Sequence, residues 1–242
     1  MAGRFNLLSK LYFLQDIVSW FIAKLDVSVV HNIEKYQAIK KSFFFSMSEG
    51  GGGSYLEFGV YTGSSFCHAM RCHHAQAFFA PDTPMDFYGF DSFDGFGEIQ
   101  EQDKHPFYTD INFKTDYQQV KKRAERASKG LSWQLIPGFF EESLQPGAKH
   151  FGIKKASIIF IDSDTYGSAS AALDFCRPIT AVGTVIILDD YFAYKGSKDH
   201  GVCRAFNEYL TQGGFKARHA LHYGNGGAVY VISSVNEDNK AP

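Results

Sequence analysis

Four aspartates form two tight pairs, Asp162-Ser163-Asp164 and Asp189-Asp190, and each pair directly follows an apolar run, Ile158-Ile159-Phe160-Ile161 and Val185-Ile186-Ile187-Leu188. A continuously apolar run of this length reads as a strand buried on both faces, so both pairs belong at the ends of neighbouring parallel strands. Carboxylates gathered at a sheet edge repel one another and raise one another's pKa unless a cation sits among them. Hard oxygen donors of this kind suit Mg²⁺, Ca²⁺ or Mn²⁺ rather than zinc. Such an ion can bind a hydroxyl and lower its pKa towards neutrality. The plainer reading makes Asp164 and Asp190 caps of the helices that follow. Two pairs at two consecutive strand ends favour the metal.

A second chemistry-bearing stretch lies earlier. Residues 55–58 read as a short buried strand ending in Glu57-Phe58, residues 59–63 as a glycine turn, and the chain from Ser64 as a helix with serines at its cap. Glycine permits positive φ and close approach of a ligand, and a helix N-terminus presents free N–H groups. The spacing is Glu57-x-Gly59-x-x-x-Gly63, not the dinucleotide G-x-G-x-x-G. An acid at the strand end would repel a pyrophosphate but accept hydrogen bonds from an amino-bearing or cationic ligand. Asp91 closes the next strand, about thirty residues beyond the turn, where an acid can bind ribose hydroxyls. Asp91-Ser92-Phe93-Asp94-Gly95 also reads as a turn.

Cys67-His68 and Cys72-His73-His74 invite a zinc reading, but on a helix only His68 and Cys72 share a face, and structural zinc needs four converging ligands. The cluster reads instead as helix surface plus two buried thiols. His105 and His200 are candidates to line an acceptor site.

These residues need a scaffold. The chain has 242 residues, 45% of them hydrophobic, enough for one α/β domain. A net charge of −2 offers no basic field for nucleic acid. Aromatic residues make up 16%, a surplus that points to an aromatic-lined pocket. The four cysteines, 67, 72, 176 and 203, have no framework spacing and read as reduced thiols of a cytoplasmic protein. Apolar residues at 7, 11, 14, 18, 21 and 25 predict an amphipathic helix over 6–25 that covers the core or contacts another subunit. No apolar run reaches the roughly 18 residues of a spanning helix, and Gln15-Asp16 in mid-segment argues against a secretory leader.

A second helix is expected over 32–47, and the glycines at 50–53 as a flexible connection, making residues 1–50 a helical extension or lid. Strands are expected over 85–91, 131–137, 156–162, 183–189, 215–221 and 228–233. Helices are expected over 118–128, 168–176 and 201–212, with a turn and short helix over 138–144. Such alternation predicts a mostly parallel sheet, and the short connection at 223–227 predicts one antiparallel edge strand. Residues 95–112 form a long loop and a second lid candidate, and 236–242 a polar tail.

Five stretches together resemble the macrocin/mycinamicin O-methyltransferase family: Tyr55-Leu-Glu-Phe-Gly-Val-Tyr-x-Gly-Ser-Ser65, Gly89-Phe-Asp-Ser-Phe-Asp-Gly95, Gly138-x-Phe-x-x-Ser-Leu144, Ile161-Asp-x-Asp-x-Tyr-x-Ser168 and Asp189-Asp-Tyr191. The resemblance spans residues 50–235 and departs at Gly95-Phe-Gly97-Glu98, where Gly-Leu-Pro is expected. It implies a class I, Rossmann-like methyltransferase fold with seven strands, the last antiparallel, over residues 51–235. It implies S-adenosylmethionine and Mg²⁺ as cofactors, and a small-molecule hydroxyl, on a sugar or a vicinal diol of a natural product, as acceptor. Glu57, Gly59, Val60, Tyr61, Thr62, Gly63, Ser64, Ser65, Asp91, Ser92, Phe93, Gly138, Phe140 and Asp162 would surround the methyl donor. Asp162, Asp189 and Asp190 would hold the metal, as in the similar catechol O-methyltransferases, and Asp162 or Asp164 would act as base. A homodimer or larger homo-oligomer is expected. The alternatives are a nicotinamide oxidoreductase, which the glycine spacing disfavours, and a non-catalytic Rossmann-like binding protein.

Overall fold

The computed structural model describes residues 10–79, 84–97, 99–106 and 113–236. In it the apolar runs become the centre of a seven-stranded sheet. Its strands are β1 (Ser54–Phe58), β2 (Phe87–Asp91), β3 (Trp133–Pro137), β4 (Ala156–Ile161), β5 (Val185–Leu188), β6 (Phe215–Tyr223) and β7 (Gly227–Val235), in the order β3-β2-β1-β4-β5-β7-β6. Strands β1 to β5 pair in parallel, while β7 is antiparallel to both β5 and β6. The antiparallel strand therefore lies inside the sheet and not at its edge as expected. The short β6–β7 connection permits only a hairpin, and the more apolar partner takes the inner place. Ala228, Val229 and Ile232 of β7 are buried, whereas β6 exposes Lys216 and much of its middle.

Helices cover both faces, which is why the central strands are apolar throughout instead of alternating. On one face α2 (Val27–Ser48), α3 (Ser64–Gln76) and α4 (Tyr117–Ser128) pack Phe43, Phe66, Met70 and Val120 against Tyr55, Phe87, Ile158 and Ile187. On the other, α5 (Tyr166–Cys176) and α6 (Gly201–Gly213) pack Leu173, Phe206 and Tyr209 against Phe58, Phe90, Ile159 and Leu188. A first helix, α1 (Tyr12–Lys24), has no buried residue. None of the described helices is long and apolar enough to cross a membrane.

Several local expectations change. Helix α2 starts at Val27, capped by the Asp26 carboxylate accepting from Ser28 N, five residues before its expected start at Asn32. Helix α3 is capped by Gly63 in the left-handed region, so Ser64 and Ser65 lie inside it and not at its cap. Two of the glycines read as a flexible connection, Gly51 and Gly53, are tightly packed, whereas Gly50 is open. A Cβ on Gly51 would lie 2.5 Å from the Ser46 carbonyl oxygen, and one on Gly53 would lie 2.7 Å from that of Lys155. The polar tail beyond residue 236, and residues 107–112 of the long loop, lie outside the described residues.

Parallel pairing brings the C-terminal ends of β1, β2, β4 and β5, and hence Glu57, Asp91, Asp162 and Asp189, to one edge of the sheet. The closest approach is at Gly59, whose φ is +94° and whose Cβ, were there one, would lie 1.8 Å from the Asp162 carbonyl oxygen. Gly59→Ala is therefore expected to lose at least about 3 kcal/mol of unfolding free energy in chemical denaturation. A loss below about 1 kcal/mol would show that β1 and β4 are not locked together there.

Candidate active site

The glycine turn is held open by an acid. Asp91 Oδ2 accepts from the backbone N–H groups of Val60 and Tyr61, both at 2.7 Å, and Oδ1 accepts from Phe93 N at 2.6 Å. Burial raises its pKa, and these three amides work against that rise. Asp91 thus performs the turn role left open by the sequence. Glu57 is fully buried on the other side of the turn, with Oε1 accepting from Ser65 Oγ at 2.6 Å and Oε2 from the Tyr55 hydroxyl at 2.5 Å. Burial pushes its carboxyl up to about 7, opposed by those two hydroxyls. The Glu57 side chain thus ties β1 to the first turn of α3.

At the ends of β4 and β5 the two aspartate pairs do converge. Asp162, Asp189 and Asp190 each bring a carboxylate oxygen within 4.8 Å of the others. Asp164 and Asp190 share a hydrogen bond. Asp164 holds φ 61° and caps nothing. The cap of α5 is Thr165, whose hydroxyl accepts from Ser168 N, reinforced by Asp103 Oδ1 accepting from Tyr166 N. The cap of α6 is His200, so the capping reading fails for Asp190 as well.

A cation does sit among these acids, and it comes from the chain itself. Lys35 Nζ lies 2.9 Å from Asp162 Oδ2 and 2.7 Å from Asp189 Oδ2. His31 Nε2 lies 3.3 Å from Asp189 Oδ2, and the Tyr223 hydroxyl donates to Asp189 Oδ1 at 2.8 Å. Burial alone would raise the Asp189 carboxyl, but Lys35 and His31 overcome it and hold it well below the usual range. Burial and the neighbouring carboxylates push Asp162 and Asp164 well above that range, and burial with Asp189 pushes Asp190 up to about 6. Lys35 supplies a single ammonium against four carboxylates, so negative charge remains in excess. A cluster of hard oxygen donors with excess charge fits a divalent ion of the Mg²⁺ class.

Both features open into one cavity of about 650 Å³. Of the residues expected round a ligand, Gly59, Val60, Tyr61, Ser64, Ser65, Asp91, Ser92, Phe140, Asp162, Asp164, Asp189 and Asp190 line it. Glu57, Thr62, Gly63, Phe93 and Gly138 are not on its wall; Glu57 is 0% exposed and Gly63 faces Val120. Phe96, Phe113, Phe139 and Phe192 supply the expected aromatic lining. His105 lines the cavity, whereas His200 is bonded to Ser197 Oγ at 2.9 Å and is not on the wall. Ser28, His31, Asn32 and Lys35 of α2 were not anticipated. They lie at i, i+3, i+4 and i+7, one face of a helix, and that spacing was the available signal. The cysteines of the 67–74 cluster are free and buried, His68 Nε2 contacts the Tyr36 carbonyl at 3.0 Å, and His73 is buried against Phe43 and Phe87 rather than on the surface.

A methyltransferase-domain family matches residues 56–191, more than half of the chain, and the chain belongs to that family. It is 29% identical over 157 residues to the 8-demethyl-8-(2,3-dimethoxy-alpha-L-rhamnosyl)-tetracenomycin-C 4'-O-methyltransferase of Streptomyces olivaceus, a match that takes in 60% of this chain and 55% of that protein. The chain thus spans about half the length of the curated relative it matches. Among solved structures it resembles the calicheamicin methyltransferase CalS11 (TM-score 0.66, 18% identity, 83% of this chain and 79% of that one). It also resembles the O-methyltransferase NovP (TM-score 0.64, 17% identity, 84% and 81%). These likenesses establish the class I, Rossmann-like methyltransferase fold.

The Glu57 shift has a consequence for stability. Its ordinary value is 4.5 and its folded value about 7, so between those pH values the folded protein keeps a proton that the unfolded chain releases. Stability from this group is present below pH ~4.5, declines as pH rises to ~7, and is flat above, an effect on the order of 3 kcal/mol. Unfolding free energies of the wild type and Glu57→Gln measured across that range should diverge with this slope. Parallel profiles would show that Glu57 is not a buried neutral carboxyl.

Proposed function

We propose that the protein is an S-adenosylmethionine-dependent, divalent-metal-assisted O-methyltransferase acting on a hydroxyl of a sugar or vicinal diol in a small natural product. The observation that carries this reading is the meeting of the glycine turn and the Asp162, Asp189 and Asp190 cluster on the wall of one cavity. The names of two relatives, a methyltransferase of a rhamnosyl-bearing tetracenomycin and a TDP-rhamnose 3'-O-methyltransferase, support a sugar hydroxyl as acceptor.

S-adenosylmethionine supplies a methyl group already activated on a sulfonium, and a divalent ion held by Asp162, Asp189 and Asp190 would lower the acceptor hydroxyl's pKa. The rest falls to the chain. Asp91 Oδ1 accepts one backbone hydrogen bond and keeps acceptor capacity for a ribose hydroxyl. Gly59, Val60, Tyr61, Ser64 and Ser65 bring the turn and the start of α3 against the nucleoside. Tyr61, Phe96, Phe113 and Phe140 provide apolar surface that excludes water and fixes the two reactants in line. Asp162 or Asp164, ionised once a divalent charge lies beside it, would take the acceptor's proton. Residues 1–50 serve as a lid, since α2 walls the cavity with Ser28, His31, Asn32 and Lys35.

Helix α1 is proposed to bind a second copy of the chain. It exposes Tyr12, Phe13, Trp20, Phe21 and Ile22, each at least 59% exposed, along with Leu14 and Val18, and buries none of its residues. Large apolar side chains left bare to this degree mark an interaction surface. The free cysteines are consistent with a cytoplasmic setting.

Thermal-shift titration with S-adenosylmethionine, S-adenosylhomocysteine and NAD, each with and without Mg²⁺, tests the class. Both sulfur ligands at about a hundredfold over Kd should stabilise the fold by roughly 2.7 kcal/mol. Stabilisation by NAD alone would overturn the reading, and silence from every ligand would leave a non-catalytic binding protein. Asp190→Asn should lower turnover of vicinal-diol acceptors, read by product mass, at least about a hundredfold while S-adenosylhomocysteine still binds. Unchanged turnover would remove the metal from the mechanism.

A further inference from the structure

The carboxylate most central to the metal reading already has its partners. Asp189 Oδ2 receives both Lys35 Nζ, at 2.7 Å, and His31 Nε2, at 3.3 Å. Asn225 N donates to His31 Nδ1 at 3.1 Å, so the ring proton sits on Nε2 and His31 is a donor to Asp189. A carboxylate oxygen has two acceptor positions, and both on Oδ2 are taken. Asp189 Oδ1 receives the Tyr223 hydroxyl, and Asp162 Oδ2 receives the same ammonium at 2.9 Å. Two cations cannot share these oxygens without strong repulsion in so buried a place.

The competing ammonium belongs to a helix with its own anchorage. Lys35 is 9% exposed, with its ammonium 5.8 Å from the centre of the Phe160 ring. The residue before it, Glu34, accepts from Gly224 N at 2.5 Å through Oε2. Gly224, at φ +53°, lies so close that a Cβ there would come within 2.2 Å of His31 Nδ1. The N-terminal half of α2, the β6–β7 turn and the carboxylate cluster are therefore joined in one chain of contacts. The C-terminal half of α2 is fixed separately, by Ala38, Ile39, Phe43 and Met47 in the core.

We propose that Lys35 and a divalent ion are alternative occupants of the Asp162 and Asp189 carboxylates, so that binding the ion expels Lys35 and loosens residues 28–35 from the β6–β7 turn. Lys35 is then a positioning residue that makes the metal site and the cavity wall report on each other. By linkage the coupling is reciprocal: whatever fixes α2 in place weakens the ion's binding by the same factor. The inference rests on the metal reading above.

The probe is Mn²⁺ alone, with free ion counted by electron paramagnetic resonance, on the full chain and on Lys35→Met. Removing the competing ammonium should tighten Mn²⁺ binding about tenfold or more. In the wild type, saturating Mn²⁺ should speed hydrogen–deuterium exchange of the amides of residues 28–35 while those of 38–47 are unchanged. The exchange measurement needs no variant and stands even if Lys35→Met folds poorly. Equal or weaker Mn²⁺ binding by Lys35→Met, or unchanged or slower exchange at 28–35, overturns the proposal. Absence of Mn²⁺ binding by both proteins overturns the metal reading together with it, whereas equal binding by both overturns this inference alone.

Discussion

Four carboxylates from the ends of two adjacent strands cannot be buried side by side without countercharge, and that constraint organises the rest of the molecule. Parallel pairing of β4 with β5 brings carboxylate oxygens of Asp162, Asp189 and Asp190 within 4.8 Å of one another, with Asp164 beside Asp190. The chain meets the demand in part by folding its N-terminal segment back so that Lys35 reaches the cluster. One ammonium does not neutralise four acids, and the remaining charge appears as carboxyl groups pushed above their usual range. The cluster is therefore held with some of its carboxyl groups protonated.

The glycine turn works by a related principle with a different outcome. Glu57 is as buried as the aspartates, but two hydroxyls and no cation satisfy it, so it persists as a structural tie between β1 and α3. Asp91 spends both oxygens on backbone amides, giving the turn a fixed shape next to the cavity. The acids of the site thus divide by environment. Glu57 and Asp91 are satisfied by hydroxyls and amides and shape the turn, whereas Asp162, Asp189 and Asp190 crowd one another about Lys35.

Much of this was legible in the sequence because it is local. The apolar runs before each Asp pair, the glycine turn after Glu57 and the β-α alternation fix the sheet, its direction and the edge on which the acids gather. What was not legible comes from long-range placement. Lys35 meets Asp162 across 127 residues, and His31 meets Asp189 across 158, from a helix read only as part of an N-terminal extension or lid. The same limit explains the position of β7. A hairpin is written in Tyr223 to Gly227, but which of its strands joins β5 depends on the apolar content of both faces of the finished sheet. Asp91 was readable as acid at a strand end, yet one of its oxygens is used by two amides of a turn some thirty residues earlier and the other by Phe93 N just beyond it.

The account stands or falls on what occupies the carboxylate cluster when the cavity is filled. Anomalous diffraction from crystals grown with Mn²⁺ and S-adenosylhomocysteine measures this directly. The prediction is a metal peak within oxygen-ligand range, roughly 2–2.6 Å, of Asp162, Asp189 and Asp190, with the nucleoside against the Gly59 to Ser65 turn. A peak elsewhere, or none, with the nucleoside lodged away from that turn, would contradict it.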